Sequence, residues 1–344
     1  MRKMASIRKI DGIAPIEGAD AIEVATVGGW KVVVKKGEFG VGDLAVYCEI
    51  DSWIPTEIAP FLSKGKEPRE FEGVKGERLR TVKLRGQLSQ GLLLPLEPTC
   101  ANIESELFEG LDVSFPLNIK KWEPVIPAQL AGQVKGNFPS LIPKTDQERC
   151  QNLVQEIDGA IQSGMRFEVT EKLEGSSMTC YLIDGEFGVC SRNLDLKRDE
   201  NNAFWKVAIE EDIETKMRNM GGNFAIQGEL VGPGIQGNIY KLNKPEFRVF
   251  DVYSIKLGDY LTAGDRRLMV EILGLKHVPV LAAAASLYDS LGLKDVDDIL
   301  SFADGKSVMG DISGPLREGV VFKEVNGGMT FKAISNKYLL KSGD

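Results

Sequence analysis

Arg166-Phe-Glu-Val-Thr-Glu-Lys-Leu-Glu-Gly175 is the stretch on which the fold turns. Its first seven residues alternate apolar and polar side chains and read as a strand. Lys172-Leu-Glu-Gly175 ends that strand in a turn. Outward from it the pattern is mixed α/β. Met178-Thr-Cys-Tyr-Leu-Ile183 and Phe187-Gly-Val-Cys190 form a hairpin across Asp184-Gly185. Phe224-Ala-Ile-Gln-Gly-Glu-Leu-Val231 and Phe247-Arg-Val-Phe-Asp-Val-Tyr253 are further strands. Gly319-Val-Val-Phe-Lys323 and Met329-Thr-Phe-Lys332 meet at Asn326-Gly327. Helices are predicted from about Asn202 to Met220, where Gly221-Gly222 stops the chain, and over 262–273 and 284–304. Upstream, Thr145-Asp-Gln-Glu148 matches a capping box and predicts a helix start, with Leu153, Val154 and Ile157 as its apolar face.

Residues 1–115 are β-rich. Ile22-Glu-Val-Ala-Thr-Val27, Trp30-Lys-Val-Val-Val-Lys35 and Leu44-Ala-Val-Tyr-Cys-Glu-Ile50 are short strands, followed by 81–84 and 91–95. Glycine punctuation between them predicts a small barrel or sandwich. Pro116, Pro124, Pro127, Pro139 and Pro143 mark 116–143 as linker or irregular structure.

The chain has 344 residues, 43% hydrophobic and 27% charged, which is enough for two domains with ordinary cores. Five dispersed cysteines (Cys48, Cys100, Cys150, Cys180, Cys190) lack CxxC spacing, which argues against a disulfide framework or a structural zinc site. A reducing cytoplasm fits best. No apolar h-region follows Met1, and no apolar run reaches the ~18 residues of a membrane span. The net charge of −8 repels phosphate backbones at long range. Nucleic acid therefore has to be met by a local basic patch. Lys64 to Arg85 is one candidate, with eight basic residues against four acidic ones, and a solvated face is its equal alternative. The single histidine, His277, leaves the usual Ser-His and Cys-His nucleophile systems short of a base. Gly232-Pro-Gly-Ile-Gln-Gly237 spells GxGxxG, but Pro233 and the missing βαβ context mark it as a loop. The four tryptophans read as core.

Lys172 is the candidate nucleophile. A lysine attacks phosphorus only as the free amine, so desolvation or a nearby cation must lower its pKa of ~10.4. KxxG alone is a weak signal, and its weight comes from the ordered residues downstream. Ser191-Arg192-Asn193 ends a hairpin. Glu229 sits within an apolar strand. Phe250-Asp251 ends another. Glu318 opens the strand that reaches Lys323, and Lys332 lies on the last strand. Carboxylates, cations and one aromatic on successive strands suit a nucleotide pocket.

This order (KxxG, SRN, QGE, FDVY, EGVVFK, FKxxS) resembles the covalent nucleotidyltransferases, which are the polynucleotide ligases and RNA capping enzymes. Among them it is most similar to nick-sealing, ATP-dependent RNA ligases with an N-terminal oligonucleotide-binding (OB) domain. The likeness is plain from about 145 to the C-terminus. In the N-terminal part it is visible at Arg80-Thr-Val-Lys-Leu-Arg-Gly-Gln-Leu-Ser-Gln-Gly91. It implies an α+β protein. An N-terminal β-barrel (OB-like) module over 1–115 and the linker would be followed at 144–344 by a mixed α/β nucleotidyltransferase domain with ATP-grasp-like antiparallel sheets.

The resemblance also implies roles. Lys172 would take AMP from ATP as a phosphoramidate. Arg149, Glu171, Arg192, Glu229, Phe250, Lys323 and Lys332 would bind ATP or AMP, with Phe250 stacked on adenine. Glu174, Glu229 and Glu318 would hold Mg²⁺ or Mn²⁺, mostly through water. Arg80, Lys83 and Arg85 would contact RNA. Glu174 stands where the family usually has aspartate, and Ile334 where it often has a second lysine. The implied partner is RNA, as nicked duplex or ends, with no membrane association. The expected protein is a cytoplasmic monomer. A DNA ligase, a capping guanylyltransferase or an inactive nucleic-acid-binding relative are the alternatives.

Overall fold

The computed structural model describes residues 3–123, 132–309 and 314–342. Pro124 and Pro127 of the expected linker lie outside them. The described residues fall into two compact units. One holds those up to 123 with 151–154 and 339–342, and the other holds 132–150 with most of 155–338.

In the first unit, Ala5–Lys9, Leu44–Cys48 and Leu92–Pro95 form one antiparallel sheet, and Gly12–Pro15, Ile22–Val27 and Trp30–Lys35 form another. Lys120–Lys121, Ser52–Pro55, Val74–Arg78 and Arg69–Phe71 make a third, beside the hairpin Val82–Leu84/Gln87–Ser89. Among the described residues these sheets do not join into one closed barrel. Ile7, Val46, Ile54, Leu94 and Val113 centre the core, with Cys48 and Cys100 buried inside it. Trp30 and Trp53 are fully buried, as core residues should be.

The second unit carries two sheets. The larger contains Ser176–Ile183, Phe224–Val231 and Glu246–Ser254, and its edge strand is Val134–Asn137. Part of the stretch expected as linker is thus paired backbone. The smaller sheet runs Val280–Ser286, Arg166–Lys172, Gly319–Glu324, Thr330–Ile334. All five cysteines are buried, and none is in a disulfide.

Three helix expectations need correction. Thr145–Arg149 is not helical, and the helix is Val154–Ser163, reached through a 3₁₀ turn at Cys150–Asn152. Glu148 turns back on its neighbour, its Oε1 accepting from the Arg149 amide at 2.9 Å. The 202–220 helix is two, Ala203–Glu210 and Ile213–Met220, broken where Asp212 takes a left-handed conformation with φ 51°. Of 284–304 only Val296–Ala303 is helical. Ala282–Ala285, four of the best helix formers, lie instead in a strand whose sheet pairing with Arg166–Lys172 overrides propensity.

Candidate active site

Register decides which side chains share a face, because neighbours across a ladder point the same way. In the smaller sheet Lys172 pairs with Gly319, Thr170 with Val321, and Glu168 with Lys323. Val321 in turn pairs with Lys332. Lys172, Lys323 and Lys332 therefore share one face with Glu168. The opposite face carries Phe167, Phe322 and Phe331, fully buried against one another.

Glu171 belongs to that apolar side. Its Oε2 accepts from the Val308 amide at 2.8 Å, and it is 1% exposed, with burial pushing its carboxyl pKa up. The structure does not bring Glu171 to the face of Lys172.

In the larger sheet Ser177 pairs with Glu229, and Gln227 pairs with both Thr179 and Asp251. Phe250 has no cross-strand partner, since Gln227 opposes Asp251 while Gly228 opposes Val249. It is the extra residue of a β-bulge, a device that re-aims a side chain.

The two polar faces meet. The Lys172 Nζ lies 2.6 Å from the Glu318 Oε1. Burial alone would lower the amine's pKa, but the negative charges of Glu318 and Glu229 and the hydrogen bond that Lys172 donates to Glu318 outweigh it, and the net shift is upward. The lowering expected from the sequence is not supplied by these protein groups, because the acids beside the amine hold its proton. Glu229 is half-buried, and burial raises its carboxyl to about 8 against the nearby Lys172. The Lys323 Nζ reaches the Asp251 Oδ1 and the Phe250 carbonyl, each at 2.7 Å, and lies 5.7 Å from the centre of the Phe250 ring. Burial lowers its pKa despite Asp251.

Gly175 is required by packing. A Cβ there would lie 2.3 Å from the Leu230 carbonyl oxygen and 2.9 Å from the Glu229 Cγ. The close approach is to the next strand, which locks the Lys172 turn beside Glu229. Gly319 is equally confined, since a Cβ there would lie 2.2 Å from the Ala333 oxygen.

The segment expected as a helix start runs along the same motifs. The Gln227 amide donates to the Pro143 carbonyl at 2.9 Å, and Lys144 reaches Asn193 at 2.9 Å. The Thr145 hydroxyl is 3.4 Å from that of Ser177. Asp146 pairs with Arg192 at 2.7 Å, and the Lys332 amide donates to the Glu148 carbonyl at 2.8 Å. Arg149, 5% exposed, bridges to Lys332 through the backbone.

Sequence reasoning missed Tyr240. Its hydroxyl accepts from the Glu174 amide at 2.7 Å, and its ring packs with Leu173, Val231 and Val278. It lies just beyond the glycine-rich 232–237 loop, and an aromatic there was the available signal.

The chemistry of the donor set bears on a metal. Among the described residues no three His, Cys, Asp or Glu side chains form a metal cluster. Glu229 and Glu318, both near Lys172, suit an ion of the Mg²⁺ type, which takes one or two carboxylates and completes its shell with water and phosphate. Glu174 lies in the Lys172 turn with its amide on Tyr240.

In the first unit Arg80, Lys83 and Arg85 are exposed near and on the Val82–Leu84 hairpin. Much of the remaining basic run is paired: Arg69 with Glu77, Lys75 with Glu67, and Arg78 with Asp51 while stacked on Trp122 at 4.0 Å.

An RNA ligase family profile matches residues 165–338, and an OB-fold domain profile matches 4–96. The chain belongs to the RNA ligase family. Solved structures of a Naegleria gruberi RNA ligase are similar along its whole length, each at 44% identity. The one with PPi has a TM-score of 0.89, with 100% of each chain covered. A variant with ATP and Mn has a TM-score of 0.87 and another with AMP and Mn 0.89, both covering 98% of each chain. None of the curated proteins matches. For this RNA ligase, among the described residues, no helix is long and apolar enough to cross a membrane.

Proposed function

We propose that this RNA ligase uses ATP to join a 3′-hydroxyl to a 5′-phosphate and seals nicks in RNA repair. The observation that carries this reading is the Lys172 amine held at the mouth of its turn between Glu318 and Glu229, on one sheet face with Lys323 and Lys332. Lys172 attacks the α-phosphorus of ATP. A lysyl–AMP bond forms and pyrophosphate leaves. AMP then passes to the RNA 5′-phosphate, and the 3′-hydroxyl displaces it. Such chemistry runs on positioning and charge.

Phe250 stacks on adenine, and Arg192 and Arg149 hold ribose or phosphate. Lys323 and Lys332 neutralise charge at the α-phosphate. Glu229 and Glu318, with Glu174, would hold a divalent cation, Mg²⁺ or Mn²⁺, mainly through water. When bound, that cation would supply positive charge beside the Lys172 amine and the phosphate, which favours the neutral amine. Glu171 keeps the Lys172 strand on the loop at Ser307–Val308. We assign 1–115 as the OB-like module that holds RNA through Arg80, Lys83 and Arg85, 116–143 as linker, and 144–344 as the adenylyltransferase domain. We place the protein in the cytoplasm as a monomer.

One assay tests this reading. The protein is mixed with Mn²⁺ and α-labelled ATP or GTP, then denatured. Label should remain on the chain with ATP and vanish in Lys172→Ala. Label from GTP would indicate a capping enzyme, and no label an inactive relative. Sealing nicks with a DNA 3′-hydroxyl strand as readily as RNA would indicate a DNA ligase.

A further inference from the structure

Behind Lys323 lies a buried ionic cluster whose other members the adenylyl-transfer steps do not use. Arg266, on the helix Ala263–Ile272, is 2% exposed. One end of its guanidinium donates to Glu168, which is fully buried on the strand of Lys172. The other end lies 3.6 Å from the Asp251 Oδ1, on the strand of Phe250. Its Nε donates to the Nε2 of His277 at 3.1 Å. His277 must then be neutral with its proton on Nδ1, which faces the Val278 carbonyl at 2.7 Å. Asp251 also holds Lys323 at 2.7 Å, and Glu168 is the cross-strand neighbour of Lys323.

One guanidinium thus ties together the two sheets that carry the nucleotide-facing groups. It also sets the charge balance around Lys323. Without it, Glu168 and Asp251 would both compete for the Lys323 ammonium, the other buried cation of the cluster, since Arg267 approaches Glu168 from the half-exposed side at 3.4 Å. The guanidinium reaches its three acceptors from three separate nitrogens, a span that the single ammonium nitrogen of a lysine cannot cover.

We infer that Arg266 is a positioning residue for phosphoryl transfer: by satisfying Glu168 and Asp251 at once, with His277 fixing its plane, it leaves Lys323 aimed at the α-phosphate. The inference rests on the proposed contact of Lys323 with that phosphate. Single-turnover formation of the labelled Lys172 adduct is measured at varied ATP in Lys323→Ala, Arg266→Lys, His277→Gln and His277→Leu, with a urea titration of each. Lys323→Ala tests the underlying proposal and should lose about a hundredfold or more in rate. If it does not, that proposal fails and the inference with it.

Given that loss, Arg266→Lys should slow the step at saturating ATP by about tenfold or more while the KM for ATP moves about threefold or less. His277→Leu should slow it in the same way. His277→Gln, which keeps an acceptor for Nε, should restore most of the rate. A merely structural role would shift the urea midpoint and leave the rate of the folded fraction intact. Wild-type rates in Arg266→Lys or His277→Leu would overturn the inference, and should Arg266→Lys fail to fold, the two His277 variants decide it alone.

Discussion

The Lys172 Nζ and the Glu318 Oε1 are 2.6 Å apart because Lys172 pairs with Gly319 across the sheet, so the residue before that glycine arrives beside the amine. Glu318→Gln preserves size and removes charge. The expected result is a loss of roughly two or more orders of magnitude in adduct formation, since preorganised charge is the main catalytic resource here. Both groups are partly solvated, so stability at neutral pH should fall by only about 1 kcal/mol or less. Label incorporation and urea unfolding measured on the same preparation check both halves.

Gly175→Ala puts a methyl 2.3 Å from the Leu230 oxygen, which is backbone and cannot turn aside. Overpacking of this kind costs about 1–3 kcal/mol. Relief must come from the turn itself, so Lys172 should be displaced and adduct formation lost even where the protein stays folded. Normal labelling by a folded Gly175→Ala protein would refute this account of the motif.

Tyr240→Phe removes the acceptor of the Glu174 amide and leaves the ring in its apolar setting. A buried donor left without its acceptor costs about 1–3 kcal/mol, and this part-buried amide should sit at the low end of that range. The turn holding Lys172 should loosen, lowering the rate of adduct formation at saturating ATP. A stability loss without a rate loss would reduce Tyr240 to packing.

Much of this site was legible because it lies on strands. Motifs on consecutive strands land at fixed registers, so Lys172, Glu229, Glu318, Lys323 and Lys332 could be grouped from order alone. What escaped depends on parity or on long-range contact. Glu171 adjoins Lys172 in sequence, yet the pleat turns it to the opposite face. Thr145-Asp-Gln-Glu148 spells a helix cap, but its neighbours are Ser177, Arg192 and the Lys332 backbone, none of them local. Phe250 owes its setting to a bulge that no composition signals. Arg266 left a readable trace: it shares the buried stripe of its helix with Ala263 and Val270, where an arginine demands buried acids.

If the exposed hairpin holds RNA, replacing Arg80, Lys83 and Arg85 together by alanine should weaken RNA binding and flatten its salt dependence. Removing one phosphate-binding cation lowers the slope of log K against log salt by about 0.7–0.9, so the slope of the triple variant should drop by roughly two to three. Binding to nicked duplex, titrated across salt concentrations by fluorescence anisotropy, measures it. An unchanged slope would leave the run as a solvated face.

Glu229 makes stability depend on pH. Burial raises its carboxyl to about 8, with Lys172 opposing and Glu318 reinforcing the rise, against ~4.3 for an unfolded glutamate. A raised carboxyl favours the protonated folded state. Its contribution is complete below the unfolded value and is lost as pH climbs through the folded one. Free of nucleotide and metal, the protein should therefore lose stability from this group between about pH 4.3 and 8, with most of the slope inside that window. Glu229→Gln has no proton to lose. Its urea midpoint should fall less steeply over that interval, so that the variant gains on the parent as pH rises. Adding Mn²⁺ with ATP should erase the difference in slope by displacing the proton from Glu229. Parallel midpoint curves for parent and variant in the ligand-free state would show that Glu229 is already ionised, and that Lys172 faces two full negative charges.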